Sequence, residues 1–400
     1  MHKEKEKAEI SSNKSLLFSN SLLHSFLNNR FTVLYGLRRS GKSYFVKNLF
    51  SSLLAEKEIE SVLYLDLEEV SKLGIKGDEE FFEYIKTKVK NFSFLIIDEV
   101  SFIENFALLF RVLKSFPNAH FLLVSSVSID YLDSLKGKKD SNLAFFYFSP
   151  LLSLREEDDL LAFSDFGFLP SLRAMEEDAK KDFYLDKLVN HIFLTDLTKR
   201  EGIQSDFTLK RILSLLSLNI GNHLNSKALS KLYFSKYEHT IDFKTIEKCL
   251  SGLEKSFLIK EVSRLDLKEN KNIGGLYKYY FLDPSVARAI QGVSFAHVGN
   301  FLEELIAIIL ESWNILFWNG FYYSFYTNEL GKRARRQEYI DFVFYKDKKL
   351  VLTQVINKGS SSKEITVKRD ALRKITRRSL KMMVFEDLSS SKTDEYGILS

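Results

Sequence analysis

Residues 31–43 read FTVLYGLRRSGKS, and residues 44–54 continue as YFVKNLFSSLL. The first five residues are an apolar run typical of a buried strand, and the last segment has the spacing of a helix. Between them, GLRRSGKS (36–43) fits the pattern G-x-x-x-x-G-K-[ST]. A strand that runs through such a loop into a helix brings backbone N–H groups and a helix N-terminus to one point. The stretch therefore predicts a phosphate-binding loop in an α/β fold.

Each position of this loop has a predicted place in a nucleotide site. Gly36 and Gly41 allow the tight turn that points successive N–H groups at one oxyanion. Lys42 can reach the β- and γ-phosphates of ATP, and Ser43 can ligate Mg²⁺. The two arginines of the loop could point outward to a partner, stack on the nucleotide or be solvated. The predicted contacts in this segment are Gly36, Leu37, Arg38, Arg39, Ser40, Gly41, Lys42, Ser43 and Tyr44.

Two acidic residues end a second apolar run, FLIIDE (94–99). Ligands of a parallel sheet bind outside the carboxyl ends of its strands. Asp98 is therefore a predicted Mg²⁺ contact together with Ser43, mostly through water, and a nucleotide contact. Glu99 is the predicted group that polarises the attacking water, so Glu99 and Lys42 are the predicted catalytic residues.

Two serines, Ser125 and Ser126, end the next apolar run. Either hydroxyl could sense the γ-phosphate, or both could be strand-end groups without a ligand. Ser126 is included among the predicted nucleotide contacts.

The first third of the chain alternates apolar runs with helical patterns, which favours βαβ units and a parallel sheet. The predicted strands are FTVLYG (31–36), VLYLDLE (62–68), FSFLIIDE (92–99), HFLLVSS (120–126) and FFYFSP (145–150). We assign residues 1–155 to this first domain.

After residue 150 the pattern becomes helical, beginning with LREEDDLLAF (154–163), and residues 156–205 are predicted to be a helical lid or linker. Residues 206–290 read as three helices followed by a hairpin, which is a winged-helix pattern. Asn225 or Ser226 could cap the second of these helices, and Asp242 the third.

Residues 291–400 are predicted to be a third, small α/β domain. Its predicted elements are a helix FLEELIAIILESW (301–313), strands YYSFYT (322–327), YIDFVFY (339–345) and LVLTQVI (350–356), and a helix KRDALRKITRRSL (368–380).

Several stretches occur in the order found in one known family: RFTVLYGLRRSGKS, FLIIDEVSFIENF, LLVSS, GNFLEELI and YIDFV. From about Phe31 to Leu380 the sequence resembles bacterial and archaeal AAA-type ATPases that carry a winged helix and a C-terminal PD-(D/E)XK nuclease-like domain. The resemblance implies a P-loop NTPase sheet in which the acidic strand lies beside the P-loop strand. It also implies a restriction-endonuclease-like fold for the last domain. Where family members tend to have Gly-Arg after the serine strand, this chain has Gly137 and Lys138, and lysine is not bidentate.

By the same resemblance, the last domain should carry two strand carboxylates for Mg²⁺, a neighbouring lysine and a helix glutamate. Glu303 matches the helix position, and Asp341 matches the first strand carboxylate. Gln354 stands where the second acid is expected, and Ile356 stands where the lysine is expected. Lys358 lies about 6.6 Å further along the strand, so it could substitute only after local rearrangement. We therefore predict a degenerate site without nuclease activity; a packing scaffold or a protein-binding surface is the alternative reading of the whole module.

Charge is concentrated near the C-terminus. The chain has a net charge of +5, but residues 331–382 hold 16 Lys and Arg against 5 Asp and Glu. A basic block of this kind favours an anionic partner, nucleic acid first, although a solvated lysine-rich surface is the alternative. RARR (333–336) and KITRR (374–378) could grip phosphates.

The single cysteine, Cys249, cannot form an internal disulfide, and we identify neither a signal sequence nor a membrane span. We expect a cytoplasmic protein with no membrane partner; self-association is left open. The favoured function is a Mg²⁺-dependent ATPase whose nucleotide state is coupled to a C-terminal half that binds nucleic acid. The alternative is a slow nucleotide-dependent signalling switch whose winged helix and inactive nuclease-like domain bind proteins.

Overall fold

The computed structural model describes residues 18–55, 62–72, 78–88, 92–134, 142–153, 166–203, 205–292, 300–327, 331–386 and 398–399. Within these stretches, no helix is both long enough and apolar enough to cross a membrane. Gly137, Lys138 and the predicted helix over 154–163 lie outside the described residues.

The chain divides into two compact units, each with its own sheet. Unit 1 comprises Met1–Phe163, Phe168–Asp178 and Lys255–Phe257. Unit 2 comprises Ser164–Gly167, Ala179–Glu254 and Leu258–Ser400.

The sheet of unit 1 is parallel throughout, as the apolar runs predict. Its strands are β1 (Phe31–Tyr35), β2 (Val62–Asp66), β3 (Phe94–Asp98), β4 (His120–Ser125) and β5 (Leu143–Tyr147), in the order β2-β3-β4-β1-β5. The five carboxyl ends therefore meet at one edge, where the phosphate-binding loop is predicted.

The expectation that the acidic strand lies beside the P-loop strand is wrong. The strand next to β1 is the serine strand β4, which pairs with it from Phe31↔Phe121 to Tyr35↔Ser125. The acidic strand β3 pairs with the other edge of β4. As a result, the serines that end β4 lie between the loop after β1 and the carboxylates that end β3.

Alternating side chains of these strands fill a core on each face of the sheet, as expected of strands buried on both sides. On β1, Phe31 and Val33 belong to one core cluster and Leu34 to the other. Helices cover both faces: α1 (18–28), α2 (Lys42–Ala55), α3 (Leu67–Lys72), α4 (Asp78–Lys88), α5 (Phe106–Lys114) and α6 (Asp130–Asp133). A short helix, α7 (Pro170–Arg173), also belongs to this unit. This packing holds the sheet edge, and the loops on it, in fixed positions.

Unit 2 begins with helices. They are α8 (Asp178–Lys187), a π-helical turn (Leu188–Phe193), α9 (Leu194–Glu201), α10 (Asp206–Ser217), α11 (Ser226–Tyr237) and α12 (Phe243–Lys255). Asn225, rather than Ser226, caps α11 by accepting a hydrogen bond from Ala228 N. The Asp242 carboxylate accepts the N–H groups of Lys244 and Thr245 at the start of α12.

The described strands of unit 2 form one sheet of seven strands, in the order β12-β11-β10-β9-β8-β6-β7. They are β6 (Ile259–Asp266), β7 (Lys271–Phe281), β8 (Phe317–Thr327), β9 (Arg333–Lys346), β10 (Lys349–Ile356), β11 (Leu380–Phe385) and β12 (Ile398–Leu399). The predicted hairpin, β6 and β7, is part of this sheet because β6 pairs in parallel with β8 over three residues. The sheet therefore crosses the predicted domain boundary between residues 290 and 291.

Three further helices belong to this part of unit 2: α13 (Pro284–Gln291), α14 (Phe301–Ser312) and α15 (Ser362–Arg373). The predicted bounds of the last helix, 368–380, are wrong at both ends. The helix begins earlier because the Ser361 hydroxyl caps it by accepting from Glu364 N. It ends at Arg373, and the residues up to 379 form bends that lead into β11.

Candidate functional site

The loop between β1 and α2 requires glycine at two positions. Gly36 has a φ of 156°, and a Cβ there would lie 2.3 Å from the carbonyl oxygen of Phe148. Gly41 has a φ of 100°, in the region that L side chains rarely adopt. Substitution at either position would force the loop to move, so the tight turn depends on both.

The loop presents donors without acceptors. Within the described residues, the backbone N–H groups of Gly41, Lys42 and Ser43 donate to no acceptor, as is usual in the first turn of a helix. The buried Ser40 hydroxyl also has no hydrogen-bond partner there. Open donors at a helix N-terminus form a site for an anion.

Lys42 is buried beneath this loop. Its Nζ donates to the carbonyl oxygens of Gly36 and Leu37, both at 2.9 Å, and to Ser126 Oγ at 3.2 Å. Burial lowers the pKa of Lys42 to about 8, although Glu99 and Asp98 act in the opposite direction. The ammonium is therefore held by neutral oxygens and not by a carboxylate.

Ser126 links this ammonium to Glu99. The Ser126 hydroxyl lies 2.5 Å from Glu99 Oε1, and Ser101 Oγ lies 3.3 Å from Glu99 Oε2. Glu99 itself has a left-handed backbone, with a φ of 54°, directly after β3. Ser125, by contrast, bonds to the backbone of Val127 and shapes the turn. Of the two candidate serines, Ser126 is the one whose hydroxyl contacts a side chain of the loop, that of Lys42.

Asp98 lies in a second group of contacts at the same edge. Its Oδ1 accepts the N–H of Glu99 at 2.9 Å, and its Oδ2 accepts a short hydrogen bond from the Tyr64 hydroxyl. Burial, with the hydrogen bond to Asp98, raises the pKa of Tyr64, and a hydrogen bond with Ser43 acts against that rise. Ser43 and Asp98 thus share Tyr64 as a partner, which brings the two predicted Mg²⁺ contacts together.

Tyr64 contacts two predicted site residues, Asp98 and Ser43, and the sequence analysis missed it. The available signal is a hydroxyl-bearing side chain inside the apolar run VLYLDLE, on a strand that pairs with β3. The order of strands cannot be read from the sequence, so the proximity of Tyr64 to Asp98 could not be predicted.

A cavity of about 1150 Å³ opens at this edge. It is lined by Ser19, Arg38, Arg39, Ser40, Gly41, Lys42, Ser43, Tyr44, Phe45, Asn48, Leu49, Asp66, Glu68, Glu99, Phe148, Leu152, Pro170, Ser171, Arg173 and Ala174. Arg38 also forms an ion pair of 3.3 Å with Glu68. Of the other predicted contacts, Leu37 is fully buried and its backbone carbonyl accepts from Lys42, whereas Tyr44 is 74% exposed.

Unit 2 contains a second cluster of buried ionisable groups. Glu303 Oε1 accepts from Lys278 Nζ at 2.8 Å and from the Tyr280 hydroxyl at 2.6 Å. Lys278 Nζ also lies 3.5 Å from Asp341 Oδ1, and Lys368 Nζ lies 2.9 Å from Asp341 Oδ2. Two carboxylates are therefore matched by two ammonium groups.

The pKa shifts in this cluster favour the charged forms. Burial opposes the charge on Lys278, but Glu303 and Asp341 raise its pKa above the usual range. Burial likewise opposes ionisation of Asp341, yet Lys278 and Lys368 lower its pKa. Lys278 and Lys368 therefore balance the charge on Asp341.

The other three positions considered for the nuclease-like site, Gln354, Ile356 and Lys358, have different surroundings from one another. Gln354 is buried, accepts from Asp341 N at 3.3 Å and donates to Tyr339 O at 2.8 Å, so its amide is bonded to β9. Ile356 is in a hydrophobic core. Lys358 is exposed on the turn after β10, where its N–H donates to Glu386.

The sequence analysis did not predict that Lys278 and Lys368 contact Asp341, because these lysines lie on other elements, β7 and α15. In the stretches that the structure describes, no group of three or more His, Cys, Asp or Glu side chains could hold a metal ion.

Sheet order, loop and cavity define the class of unit 1. Residues 28–153 match a protein family described as an AAA domain. This part of the chain is an AAA-type, P-loop ATPase-like domain. Residues 159–296 match a second family, described as a domain of unknown function (DUF8612). The winged helix and the PD-(D/E)XK-like domain stay predictions.

Proteins similar to this chain include one from a bacterium and two from archaea. A protein of Haemophilus influenzae is 25% identical over 341 residues, which are 81% of each chain. MJ1544 of Methanocaldococcus jannaschii is 23% identical over 386 residues, which cover 90% of this chain and 83% of that protein. The solved Walker-type ATPase PABY2304 of Pyrococcus abyssi is 15% identical with a TM-score of 0.47, covering 70% of this chain and 95% of that one.

Proposed function

We propose that this chain binds ATP with Mg²⁺ and hydrolyses it at the loop over 36–43. We further propose that the nucleotide state is coupled to nucleic-acid binding by unit 2. The observation that carries the proposal is the chain of contacts from Lys42 through Ser126 to Glu99, set against a loop whose N–H groups have no acceptors. It supplies a phosphate-binding cation and a carboxylate acceptor within two hydrogen bonds of each other.

Binding of phosphate would satisfy the groups that the loop leaves open. The N–H groups of Gly41, Lys42 and Ser43 and the orphaned Ser40 hydroxyl are donors for phosphate oxygens. Lys42 would exchange its carbonyl partners for the β- and γ-phosphates. A charged partner is stronger than a neutral carbonyl, so the exchange favours the bound state.

Ser43 and Asp98 would hold the Mg²⁺. A hydroxyl and a carboxylate are the oxygen ligands that Mg²⁺ takes in such sites, and both contact Tyr64 here. When bound, Mg²⁺ neutralises charge on the β- and γ-oxygens. Tyr64 would keep the Asp98 carboxylate in position.

Glu99 would accept the proton of the attacking water or polarise it. Its two oxygens are oriented by the hydroxyls of Ser126 and Ser101. Because Ser126 also contacts Lys42, a change at the γ-phosphate reaches Glu99 through one side chain. Ser126 would in this way report the nucleotide state to the catalytic carboxylate.

The nucleic-acid part of the proposal rests on charge and exposure. Residues 331–382 hold 16 basic against 5 acidic residues. The arginines of RARR (333–336) are exposed on β9. Arginine side chains on an exposed strand are suited to phosphate contacts.

ATP turnover of the full chain, with and without single-stranded DNA, double-stranded DNA and RNA, tests the proposal. We expect Mg²⁺-dependent turnover that nucleic acid stimulates, with the stimulation lost as salt rises. No effect of any nucleic acid, combined with a stable nucleotide-dependent oligomer, would favour the signalling switch.

Glu99→Gln tests the catalytic assignment. The variant should bind ATP as the wild type does, while turnover falls by about 10²- to 10⁴-fold, because an amide cannot accept the proton. Glu104→Gln, at an exposed acid a few residues on, is the matched control and should keep full turnover. Undiminished turnover in Glu99→Gln would remove Glu99 from the mechanism and point to a base from a neighbouring subunit.

A further inference from the structure

The strands β8 and β9 extend beyond the rest of the sheet as a two-stranded ribbon. β6 pairs with β8 only from Asn319 to Phe321. Beyond that point, residues 322–327 of β8 pair with residues 333–338 of β9. The ribbon therefore has two faces of its own.

One face of the ribbon carries alternating aromatic and arginine side chains. Side chains two residues apart share a face, and so do directly opposed residues of paired strands. Tyr323 and Phe325 of β8 thus lie on the same face as Arg333 and Arg335 of β9. The Arg333 guanidinium lies 4.3 Å from the centre of the Phe325 ring, and that of Arg335 lies 4.8 Å from the Tyr323 ring. Each arginine covers the ring of its diagonal neighbour.

These aromatic rings are exposed to an unusual degree. Phe325 is 60% exposed and Tyr323 is 43% exposed. Tyr339, which lies opposite Phe321, is 40% exposed and contacts the His223 ring at 5.1 Å between centroids. Tyr339, Tyr323 and Phe325 are thus spaced along the ribbon at steps of about 6.8 Å.

The two faces of the ribbon differ in how their charges are matched. Within the described residues, no carboxylate lies within ion-pair distance of Arg333 or Arg335. On the opposite face, Arg336 pairs with Glu338 at 3.7 Å. The Tyr322 hydroxyl there donates to a backbone carbonyl of α15. Among the described residues, the aromatic and arginine face thus combines exposed rings with guanidinium groups that no carboxylate pairs.

We infer that this face, formed by Tyr323, Phe325, Arg333, Arg335 and Tyr339, binds single-stranded nucleic acid. Exposed rings at even steps stack unpaired bases, and unmatched guanidinium groups bind phosphates and stack as well. In a duplex the base faces are already stacked on one another, so the rings would have no partner. The inference rests on the proposed nucleic-acid function and specifies its site and its preference for single strands.

Fluorescence anisotropy of labelled oligodeoxythymidine, oligouridine and a DNA duplex with the full chain tests the inference. Phe325→Ala should weaken single-strand binding by about 5- to 150-fold, because it removes one stacking platform. Arg335→Ala should lower the slope of log affinity against log salt by about 0.7. Tyr326→Ala removes an exposed ring from the opposite face, and Arg111→Ala removes an exposed arginine from α5 of unit 1. Both variants should bind like the wild type. Thermal unfolding of each variant reports its folding, and the DNA and RNA strands distinguish the source of the ligand.

Three results would overturn the inference, and they separate it from the proposed function. Wild-type binding to single strands with no loss in either Phe325→Ala or Arg335→Ala would remove this face and leave nucleic-acid binding elsewhere. Binding of the duplex more tightly than of single strands would also overturn the assignment of this face to single-stranded nucleic acid. If no nucleic acid binds, both this site and the nucleic-acid part of the proposed function are wrong. Measured ATP turnover would then still support the proposed ATP hydrolysis.

Discussion

Each unit of this chain contains a buried lysine, and the two lysines have opposite surroundings. Lys42 of unit 1 donates to two carbonyls and a hydroxyl, and burial lowers its pKa to about 8. Lys278 of unit 2 lies between two carboxylates, Glu303 and Asp341, and its pKa is raised despite burial. The first ammonium still lacks a negative partner, whereas the second already has two.

The difference separates a site that is ready for a ligand from one that is satisfied internally. Around Lys42 the loop keeps open N–H donors and borders a large cavity. Around Asp341, the described carboxylates Glu303 and Asp341 pair with the ammonium groups of Lys278 and Lys368. Experiments on the two lysines should therefore give opposite results for stability and for binding.

Loss of the Lys278 ammonium should have the largest effect on stability. Lys278→Ala leaves Glu303 and Asp341 buried with one counter-charge fewer, which should lower the free energy of unfolding by about 3–5 kcal/mol. Lys260→Ala is the control, because it removes a Lys–Glu pair that is partly exposed and should cost about 1 kcal/mol or less. Urea denaturation measures both. Equal losses would mean that the buried cluster contributes no more than a surface pair.

Loss of the Lys42 ammonium should instead abolish nucleotide binding. Mg-ATP at about 100 times its dissociation constant should stabilise the wild type by about 2.7 kcal/mol, and Lys42→Ala by nothing measurable. Lys86→Ala, an exposed lysine on α4, should keep the full stabilisation. Thermal unfolding with and without Mg-ATP gives the comparison. A wild type that millimolar Mg-ATP does not stabilise would contradict the P-loop assignment.

The lowered pKa of Lys42 predicts a pH dependence of nucleotide affinity. Below about pH 8 the amine is protonated and can bind phosphate; above that value it loses its proton. Affinity for Mg-ATP should therefore fall by about tenfold for each pH unit above 8, and binding there should take up a proton. Calorimetric titrations in two buffers of different ionisation enthalpy measure both effects. An affinity that stays constant from neutral pH to pH 9.5 would argue against a buried, partly deprotonated lysine.

The smallest expected effect is metal-dependent cleavage, which is measured by adding Mg²⁺ or Mn²⁺ to nucleic acid incubated with this chain. Lys278 and Lys368 neutralise the two carboxylates, and Gln354 brings no charge, so we expect no measurable cleavage of DNA or RNA. Gel assays of labelled strands at neutral pH provide the measurement. Cleavage that needs metal and disappears in Asp341→Ala would show an active site that has recruited one of these lysines.

The sequence is most informative where the residues of the candidate site are contiguous. GLRRSGKS contains the whole candidate loop in one stretch, and FLIIDE ends at the same sheet edge because both strands are parallel. Glycine spacing and strand ends are local properties, so they can be interpreted without a known strand order. The choice of Ser126 over Ser125 was not local, because it depends on the turn that Ser125 makes with Val127.

Contacts between distant elements could not be predicted. Tyr64 reaches Asp98 across a strand pair, and Lys368 reaches Asp341 from a helix that follows another strand. The only local sign of Lys278 was a lysine among aromatic residues in LYKYYFLD. The resemblance also predicted the wrong neighbour for the acidic strand β3. In the structure, β4 pairs with β1 on one side and with β3 on the other, so β4 separates the two strands.

The parallel pairing of β6 with β8 has a practical consequence for anyone who wishes to study unit 2 in pieces. A truncation between residues 290 and 291, where the sequence pattern suggests a boundary, would separate Arg264 from Asn319 and Lys278 from Glu303. The C-terminal fragment would then expose the edge of β8 from Asn319 to Phe321, and in the N-terminal fragment β6 would keep β7 as a partner but lose β8. Unprotected edges of this kind promote aggregation. Unit 2 should therefore be expressed as one continuous chain that keeps β6 and β8 together.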